Sequence, residues 1–271
     1  MTTEYATRIL QKYSHGIDIL KKKVYWPHFV ATSCGPIGLQ VYCPSFLIER
    51  NVKTLDNEGE YIRTLLENTN DTDLVLDCGG NVGLHAMIFA TKAKEVVCLE
   101  PAQEFANIIA SNLKRNRIHN VVVINKAVMA TPGPISLQSG NSEYKSPRIN
   151  GMTDSRDKYR KFGRVQTVDG VSLDQLCNNS ESSIGHPNVV IIDVEGCEYL
   201  ALQGGKELFS GPNKPRVIGI EIHVGYLKSQ GLTPESVKNL LENFGYSQIF
   251  SKERGLEIHK IFALPQDLRQ V

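Results

Sequence analysis

LVLDCGGNVGLHAMIFA, residues 74–90, passes from an apolar, β-rich run to a lone acid, Asp77, then to a glycine-rich turn and a helical pattern. Strand, tight turn and helix in that order open a parallel α/β sheet. Glycines let the backbone approach a ligand closely, and the helix N-terminus offers unpaired N–H groups. The alternation continues outward from this unit. EVVCLE reads as a strand, residues 102–116 as a helix and NVVVINKAV as a strand; then, after a polar stretch, SLDQLCNN, NVVIIDV, EYLALQGGKELF and RVIGIEIHV read as helix, strand, helix and strand. Strands separated by crossover helices predict a doubly wound parallel sheet. Thr233 and Pro234 take the cap and first-turn positions of a last helix near 234–244. YSQIFS and EIHKIFALP beyond it are spaced to pair antiparallel.

Two regions stand outside this pattern. Residues 1–60 begin as a helix and continue as short strands broken by Pro and Gly, which reads as a cap on the sheet. Residues 138–163 are too long and polar for a simple connection, and Lys145, Arg148, Arg156, Lys158, Arg160 and Lys161 outnumber the acids there. A lid and a flexible loop are the two readings of that stretch.

The whole chain narrows the function. Its 271 residues, 41% hydrophobic, fit one large domain with additions. Thirty basic residues against 29 acidic ones leave a formal net charge of +1, so no global field draws it to nucleic acid or to an anionic membrane. The N-terminus lacks the apolar core of a signal peptide, and no run approaches membrane-spanning length, so a soluble cytoplasmic protein is expected. The six cysteines form no C-x-x-C pair and sit largely in apolar runs, as reduced packing thiols do. Cys197, beside the candidate site, is the one position where a reactive thiol is the alternative.

Which ligand the turn holds follows from what it lacks. A Walker loop requires G-x-x-x-x-G-K-[ST], whereas Leu84 and His85 follow Gly83. A dinucleotide fingerprint requires a first glycine where Cys78 stands, so NAD is disfavoured. Asp77 at the strand end would repel a pyrophosphate but attract a ligand carrying ammonium and sulfonium charge, as S-adenosylmethionine does. Glu100 ends the next strand, where a carboxylate accepts hydrogen bonds from two ribose hydroxyls. Asp77, Gly79, Asn81, Gly83 and Glu100 form the constellation. Each has a bland alternative: Asp77 as a helix cap, Asn81 as a left-handed turn residue, Glu100 as a solvated strand end.

D-C-G-G-N-V-G, L-E-P, N-L-K-R-N, I-I-D-V-E-G-C-E and I-E-I-H together resemble the FkbM family of S-adenosylmethionine-dependent methyltransferases, over roughly residues 60–264. Gly80 stands where the family's DxGANxG pattern commonly has alanine. IIDVEGCEYLALQGG follows DxEGxExxxLxG closely, and VQTVDGVSLDQL resembles the TLDxL segment before it. The resemblance implies a class I, Rossmann-like methyltransferase domain over 61–271, with a seven-stranded sheet whose last strand is antiparallel. It implies cofactor contacts at Asp77, Gly79, Gly80, Asn81, Gly83, Glu100 and Pro101, and O-methylation of a saccharide or natural product.

In an open α/β sheet ligands gather at the carboxyl ends of the strands. That places Asp193, Glu195, Glu198, Glu221 and His223 on one rim. Methyl transfer from a sulfonium is an in-line displacement that needs a positioned acceptor oxygen and a proton acceptor. His223, with an ordinary pKa of about 6.5, is the candidate base, Asp193 the second, and Glu221 completes the catalytic set. Asp193, Glu221 and His223 are equally the candidate ligands of a divalent cation such as Mg, which would lower the pKa of a bound hydroxyl. The competing functions are nucleic-acid methylation, for which no D-P-P-Y-like segment is present, and a non-catalytic cofactor-binding protein. The acceptor and the oligomeric state are not legible in the residues.

Overall fold

The computed structural model describes residues 28–32, 38–43, 52, 58–140, 148–149, 152, 162–178 and 184–265. β1 (His28–Thr32) and β2 (Leu39–Cys43) form an antiparallel pair. α1 (Gly59–Glu67) leads into the quoted stretch, which forms β3 (Leu74–Cys78), a turn and α2 (Leu84–Ala90). β4 (Glu95–Leu99), α3 (Gln103–Arg115) and β5 (Val121–Ile124) follow. Next come β6 (Ala127–Val128), β7 (Gly133–Gly140), β8 (Arg148–Ile149) and β9 (Phe162–Val171). α4 (Leu173–Asn178), β10 (Val189–Ile192), α5 (Glu198–Gly204), α6 (Lys206–Ser210) and β11 (Val217–His223) resume the alternation. α7 (Val224–Ser229), α8 (Pro234–Asn243), β12 (Ser247–Arg254) and β13 (Glu257–Ala263) complete it.

The seven-stranded sheet has the order β12-β13-β11-β10-β3-β4-β5. β11, β10, β3, β4 and β5 are parallel, and β13 runs antiparallel between β11 and β12. This is the doubly wound sheet with an antiparallel last strand that the sequence predicts. Continuous apolar strands are the mark of a sheet covered on both faces. One face packs Val75, Val96 and Ile191 against Leu65, Met87 and Phe105. The other packs Leu76, Val190 and Ile220 against Leu202, Phe209 and Leu241. Thr233 caps α8, with Pro at its start, as its sequence suggests.

The β1–β2 hairpin docks on α3 through two asparagines. Tyr42 N–H donates to Asn112 Oδ1 at 2.8 Å and Gln40 N–H to Asn116 Oδ1 at 2.9 Å. Val30 and Val41 join the core on that side. The helical start read over the first residues lies outside the described residues.

Three expectations need correction or completion. EYLALQGGKELF is two helices that meet at Gly205, whose φ of −114° and ψ of 24° leave helical geometry, and Gly204 just before it packs against the Met129 carbonyl where a Cβ would lie 2.1 Å away. The polar stretch hides a second sheet of order β6-β9-β7-β8, in which Ile135 pairs with Val168 and Leu137 with Ile149. Residues 138–140, 148–149 and 162–163 of the expected loop are therefore strand. Lys145, Arg156, Lys158, Arg160 and Lys161, like Cys34, lie outside the described residues. Finally, burial pushes the Cys197 thiol up, away from the thiolate a reactive cysteine requires. Among the described residues, no helix is long and apolar enough to cross a membrane.

The closest backbone approach in the site lies at Gly79, φ +102°, where an added Cβ would meet the Asp193 carbonyl oxygen at 1.8 Å. Gly79→Ala is expected to cost about 2 kcal/mol or more in denaturant unfolding. Gly59→Ala, with nothing within 4 Å of the new Cβ, should leave the midpoint unchanged or raise it. Equal midpoints for the two variants would contradict this account of the turn.

Candidate functional site

The glycine turn is tied to both neighbouring strands. Gly79 and Gly80 N–H both donate to the Leu99 carbonyl at 2.9 Å, and Asp193 N–H donates to the Cys78 carbonyl at 2.9 Å. The end of β3 is thus held between the ends of β4 and β10. Asn81, at φ +50°, turns its N–H to Glu100 Oε2 at 2.8 Å, while Ala102 N–H reaches Oε1 at 2.9 Å. Burial pushes Glu100 up to about 8 against the pull of these two donors. Asp77 is fully buried; its Oδ2 accepts from the Cys98 thiol at 3.4 Å, and its Oδ1 has no hydrogen-bond partner among the described residues. Burial raises its pKa as well. At Gly80 a Cβ would meet Cys98 Sγ at 2.4 Å, so the glycine and the cysteine sulfur share the space of an alanine.

Above the turn lies a cleft open to solvent. Gly79, Asn81, Glu100 and Pro101 line it together with Asp193, Glu195 and Cys197. Leu137, Arg148 and Ile149 of the second sheet form a further wall. Of the residues expected at the cofactor, Asp77, Gly80 and Gly83 are not among those that line this cleft, and a Cβ at Gly80 or Gly83 would meet Ile109.

Asp193 and Glu195 also face a buried histidine cluster. Glu198, wholly buried, holds His223 Nδ1 at 2.7 Å with its Oε1, which also accepts the Gly196 N–H at 2.8 Å. His223 Nε2 then faces three carboxylates, at 3.7 Å from Glu195, 3.8 Å from Glu221 and 3.9 Å from Asp193. Burial works against the charge on His223, but Glu198 and Glu195 overcome it and raise its pKa well above the ordinary range. The expectation of an ordinary imidazole near neutrality is therefore corrected: four acids surround this ring. Burial raises both Asp193 and Glu221, and the charge of Glu221 adds to the effect at Asp193. Glu195 sits at φ +48°, a left-handed conformation uncommon outside glycine, which aims its carboxylate at the cluster.

Glu221 belongs to a second polar group as well. Its Oε2 meets His259 Nε2 at 2.8 Å, and the His259 ring stacks on Tyr61 with centroids 4.6 Å apart. Burial lowers His259 to about 4, so this ring is neutral. Glu58, just before α1, pairs with Arg254 at 2.6 Å and with His85 at 3.5 Å. Burial opposes the charge of both partners. The hydrogen bond and charge between them nevertheless hold Glu58 at about 2 and His85 at about 9. Ligand atoms of Asp193, Glu221 and His223, and likewise of Glu58, Glu221 and His259, lie within 4.8 Å of one another.

The five rim residues expected together are together. Glu58, His85 and His259 were missed. In the sequence His85 only breaks a Walker pattern, and Glu58 lies in the region that reads as a cap. No local signal links either to a strand end.

The Methyltransferase FkbM domain model matches residues 77–247, more than half of the chain. The hexuronic acid methyltransferase AglP of Haloferax volcanii is 28% identical over 205 residues, covering 74% of each chain. Among solved structures, the methyltransferase FkbM of Methylobacillus flagellatus is 12% identical, covers 78% of this chain and 60% of its own, and has a TM-score of 0.48. An rRNA methylase of Streptococcus thermophilus is 10% identical, with coverages of 76% and 95% and a TM-score of 0.43.

The Glu58–His85 pair carries a pH dependence. His85 is raised, so its contribution is complete below its unfolded value of 6.5 and is lost as pH rises through about 9. Glu58 is lowered, so its share is complete above 4.5 and is lost only as pH falls through about 2. The difference in melting temperature between wild type and His85→Asn should therefore narrow from pH 6 to pH 10. A constant difference would refute the ion pair.

Proposed function

The chain belongs to the FkbM methyltransferase family and takes its methyl group from S-adenosylmethionine, and on that premise we propose that it methylates a hydroxyl oxygen of a uronic-acid-bearing saccharide. The observation that carries this reading is the junction at Asp193 and Glu195, where the cleft over the glycine turn runs into the histidine cluster. The acceptor class follows the hexuronic acid methyltransferase of Haloferax volcanii. Balanced charge and an acidic rim disfavour a nucleic-acid acceptor.

The residues of the turn fit the cofactor. Asp77 offers a buried carboxylate oxygen without a partner, suited to an ammonium group. Glu100, fixed by two backbone donors, keeps lone pairs for ribose hydroxyls. Bound S-adenosylmethionine supplies an electrophilic methyl carbon and departs as S-adenosylhomocysteine. Gly79 lets the backbone approach, and Asn81 and Pro101 complete the wall.

His223 takes the acceptor proton in this reading. Glu198 fixes Nδ1 and leaves Nε2 facing Asp193 and Glu195, which line the cleft. The surrounding acids make Nε2 more basic than a free imidazole and disperse the charge it gains. His223 first passes its resident proton to the carboxylates it faces, of which Asp193 and Glu195 line the cleft. Two acids that repel each other, Asp193 and Glu221, accept such a proton readily.

One observation favours a second version. Separations of 3.7–3.9 Å from Nε2 to three carboxylate oxygens are too long for hydrogen bonds. They suit ligands that each approach a single divalent cation at about 2.1 Å, and the grip of Glu198 on Nδ1 is the usual support of a ligating imidazole. Asp193, Glu221 and His223 would hold the ion, which would lower the pKa of the acceptor hydroxyl.

Asp77→Ala and Glu100→Ala should each weaken S-adenosylhomocysteine binding by about tenfold or more, with the fold kept. His223→Gln should lower kcat for methyl transfer by about a hundredfold without changing that affinity. Full activity in His223→Gln would remove it as the base. Loss of turnover on chelation, restored by Mg, would replace the plain base with the cation version.

A further inference from the structure

N-L-K-R-N, residues 112–116, lies on α3 and has no part in the mechanism above. Its first asparagine reaches the glycine turn. The early half of that turn is held from the end of β4, where Gly79 and Gly80 N–H donate to the Leu99 carbonyl and Asn81 N–H to Glu100. The later half is held from α3. Asn81 at φ +50° and Gly83 at φ +84° are both left-handed, so the Val82 peptide groups between them depend on outside contacts for their orientation. Asn112 Nδ2 donates to the Val82 carbonyl at 2.8 Å. Ile109 packs beside it on Gly83, where a Cβ would meet Ile109 Cγ2 at 3.0 Å. Positions i and i+3 share one face of a helix, so α3 presents an apolar and an amide contact to the turn together.

Asn112 is wholly buried, and the other end of its amide is also engaged: Oδ1 accepts Tyr42 N–H from β2 at 2.8 Å. One side chain therefore joins the glycine turn to the N-terminal hairpin. Asn116, the last residue of the motif, grips the same hairpin, accepting Gln40 N–H at 2.9 Å and donating to the Gln40 carbonyl at 2.8 Å. Its remaining contacts are with Met87 Sδ and the Asn112 carbonyl, so it holds the hairpin without holding the turn. Loss of the Asn112 amide would strip a partner from a carbonyl in the turn and from a strand N–H at once. Buried groups left in that state are costly, and the turn would relax away from the shape it presents to the cleft.

We propose that Asn112 is a positioning residue for the cofactor: through the Val82 carbonyl it holds the glycine turn in its binding shape, and through Tyr42 N–H it couples that turn to docking of the β1–β2 hairpin. The proposal rests on S-adenosylmethionine as the cofactor and is independent of the acceptor. Coupling of this kind is reciprocal, so a docked hairpin favours cofactor binding and a bound cofactor favours the docked hairpin.

The full chain and three variants are titrated with S-adenosylhomocysteine, and their melting temperatures are recorded. Asn112→Ala removes both contacts. Asn112→Asp, of the same shape, keeps an acceptor for Tyr42 N–H and removes the donor to Val82. Each should weaken S-adenosylhomocysteine binding by about tenfold. Asn116→Ala should lower the melting temperature through its lost hairpin contacts yet leave that affinity within about twofold of wild type. Folded Asn112 variants with wild-type affinity overturn the proposal. An affinity loss in Asn116→Ala as large as that in Asn112→Ala also overturns it, because the effect would then be one of general destabilisation. If neither Asn112 variant folds, hydrogen exchange in wild type decides: saturating S-adenosylhomocysteine should slow the Tyr42 amide about fivefold more than the amides of β12 and β13. Equal slowing overturns the coupling and the proposal with it. Failure of folded wild type to bind S-adenosylhomocysteine overturns the cofactor reading itself, and this proposal falls with that reading.

Discussion

The site depends on one absent side chain. At Gly79 the end of β3 passes so close to the carbonyl of Asp193 that no Cβ fits between them, and the backbone there has the positive φ that glycine tolerates best. Because β3 and β10 are adjacent and parallel, this contact brings two acidic strand ends into one space. Asp77 and the turn belong to one strand, Asp193 and Glu195 to the other. The cleft over the turn and the histidine cluster meet because the two backbones touch. A sheet that kept its order but separated these strand ends would have a cofactor cradle and an acid cluster with nothing to connect them.

The second constraint is electrostatic. Asp193, Glu195, Glu198 and Glu221 surround one imidazole, and Glu221 is shared with His259. Grouping acids under partial burial costs stability unless a proton or a cation compensates. His223 carries that compensation in the ligand-free protein. Burial raises Asp193 and Glu221, with neighbouring carboxylates adding to it, whereas at His223 the surrounding acids outweigh burial. Such arrangements cluster at functional sites, where the same crowding makes proton transfer easy. Glu195 in its left-handed backbone conformation belongs to the same pattern, since local strain persists where the surroundings enforce it.

Legibility in the sequence followed sequence distance. The central sheet was readable because each strand is a compact apolar run with punctuation on both sides, and the terminal hairpin because its two runs are close together. The second sheet was not. β7 begins with Gly133 and Pro134, β8 has two residues, and their partner β9 lies beyond a polar stretch. Nothing local distinguishes those strands from loop. The acids and the histidine at strand ends were legible by position, as the rim of an α/β sheet is where ligands gather. Their protonation was not, because it depends on Glu198 and Glu195 arriving at His223 from a different strand end. Glu58 and His85 were hidden for the same reason: an ion pair between a helix approach and a cofactor helix leaves no periodic trace. The Gly204–Gly205 pair is the visible signal of the break between α5 and α6.

Cofactor identity is the claim on which the other assignments rest, and it is tested most directly without any acceptor. Calorimetric titration of the full chain with S-adenosylhomocysteine, with NAD titrated in parallel, isolates the choice made by Asp77, the glycine turn and Glu100. The account predicts saturable binding of S-adenosylhomocysteine at about micromolar affinity, near 8 kcal/mol, and no heat from NAD. Binding of NAD, or no binding of S-adenosylhomocysteine by folded protein, would contradict it.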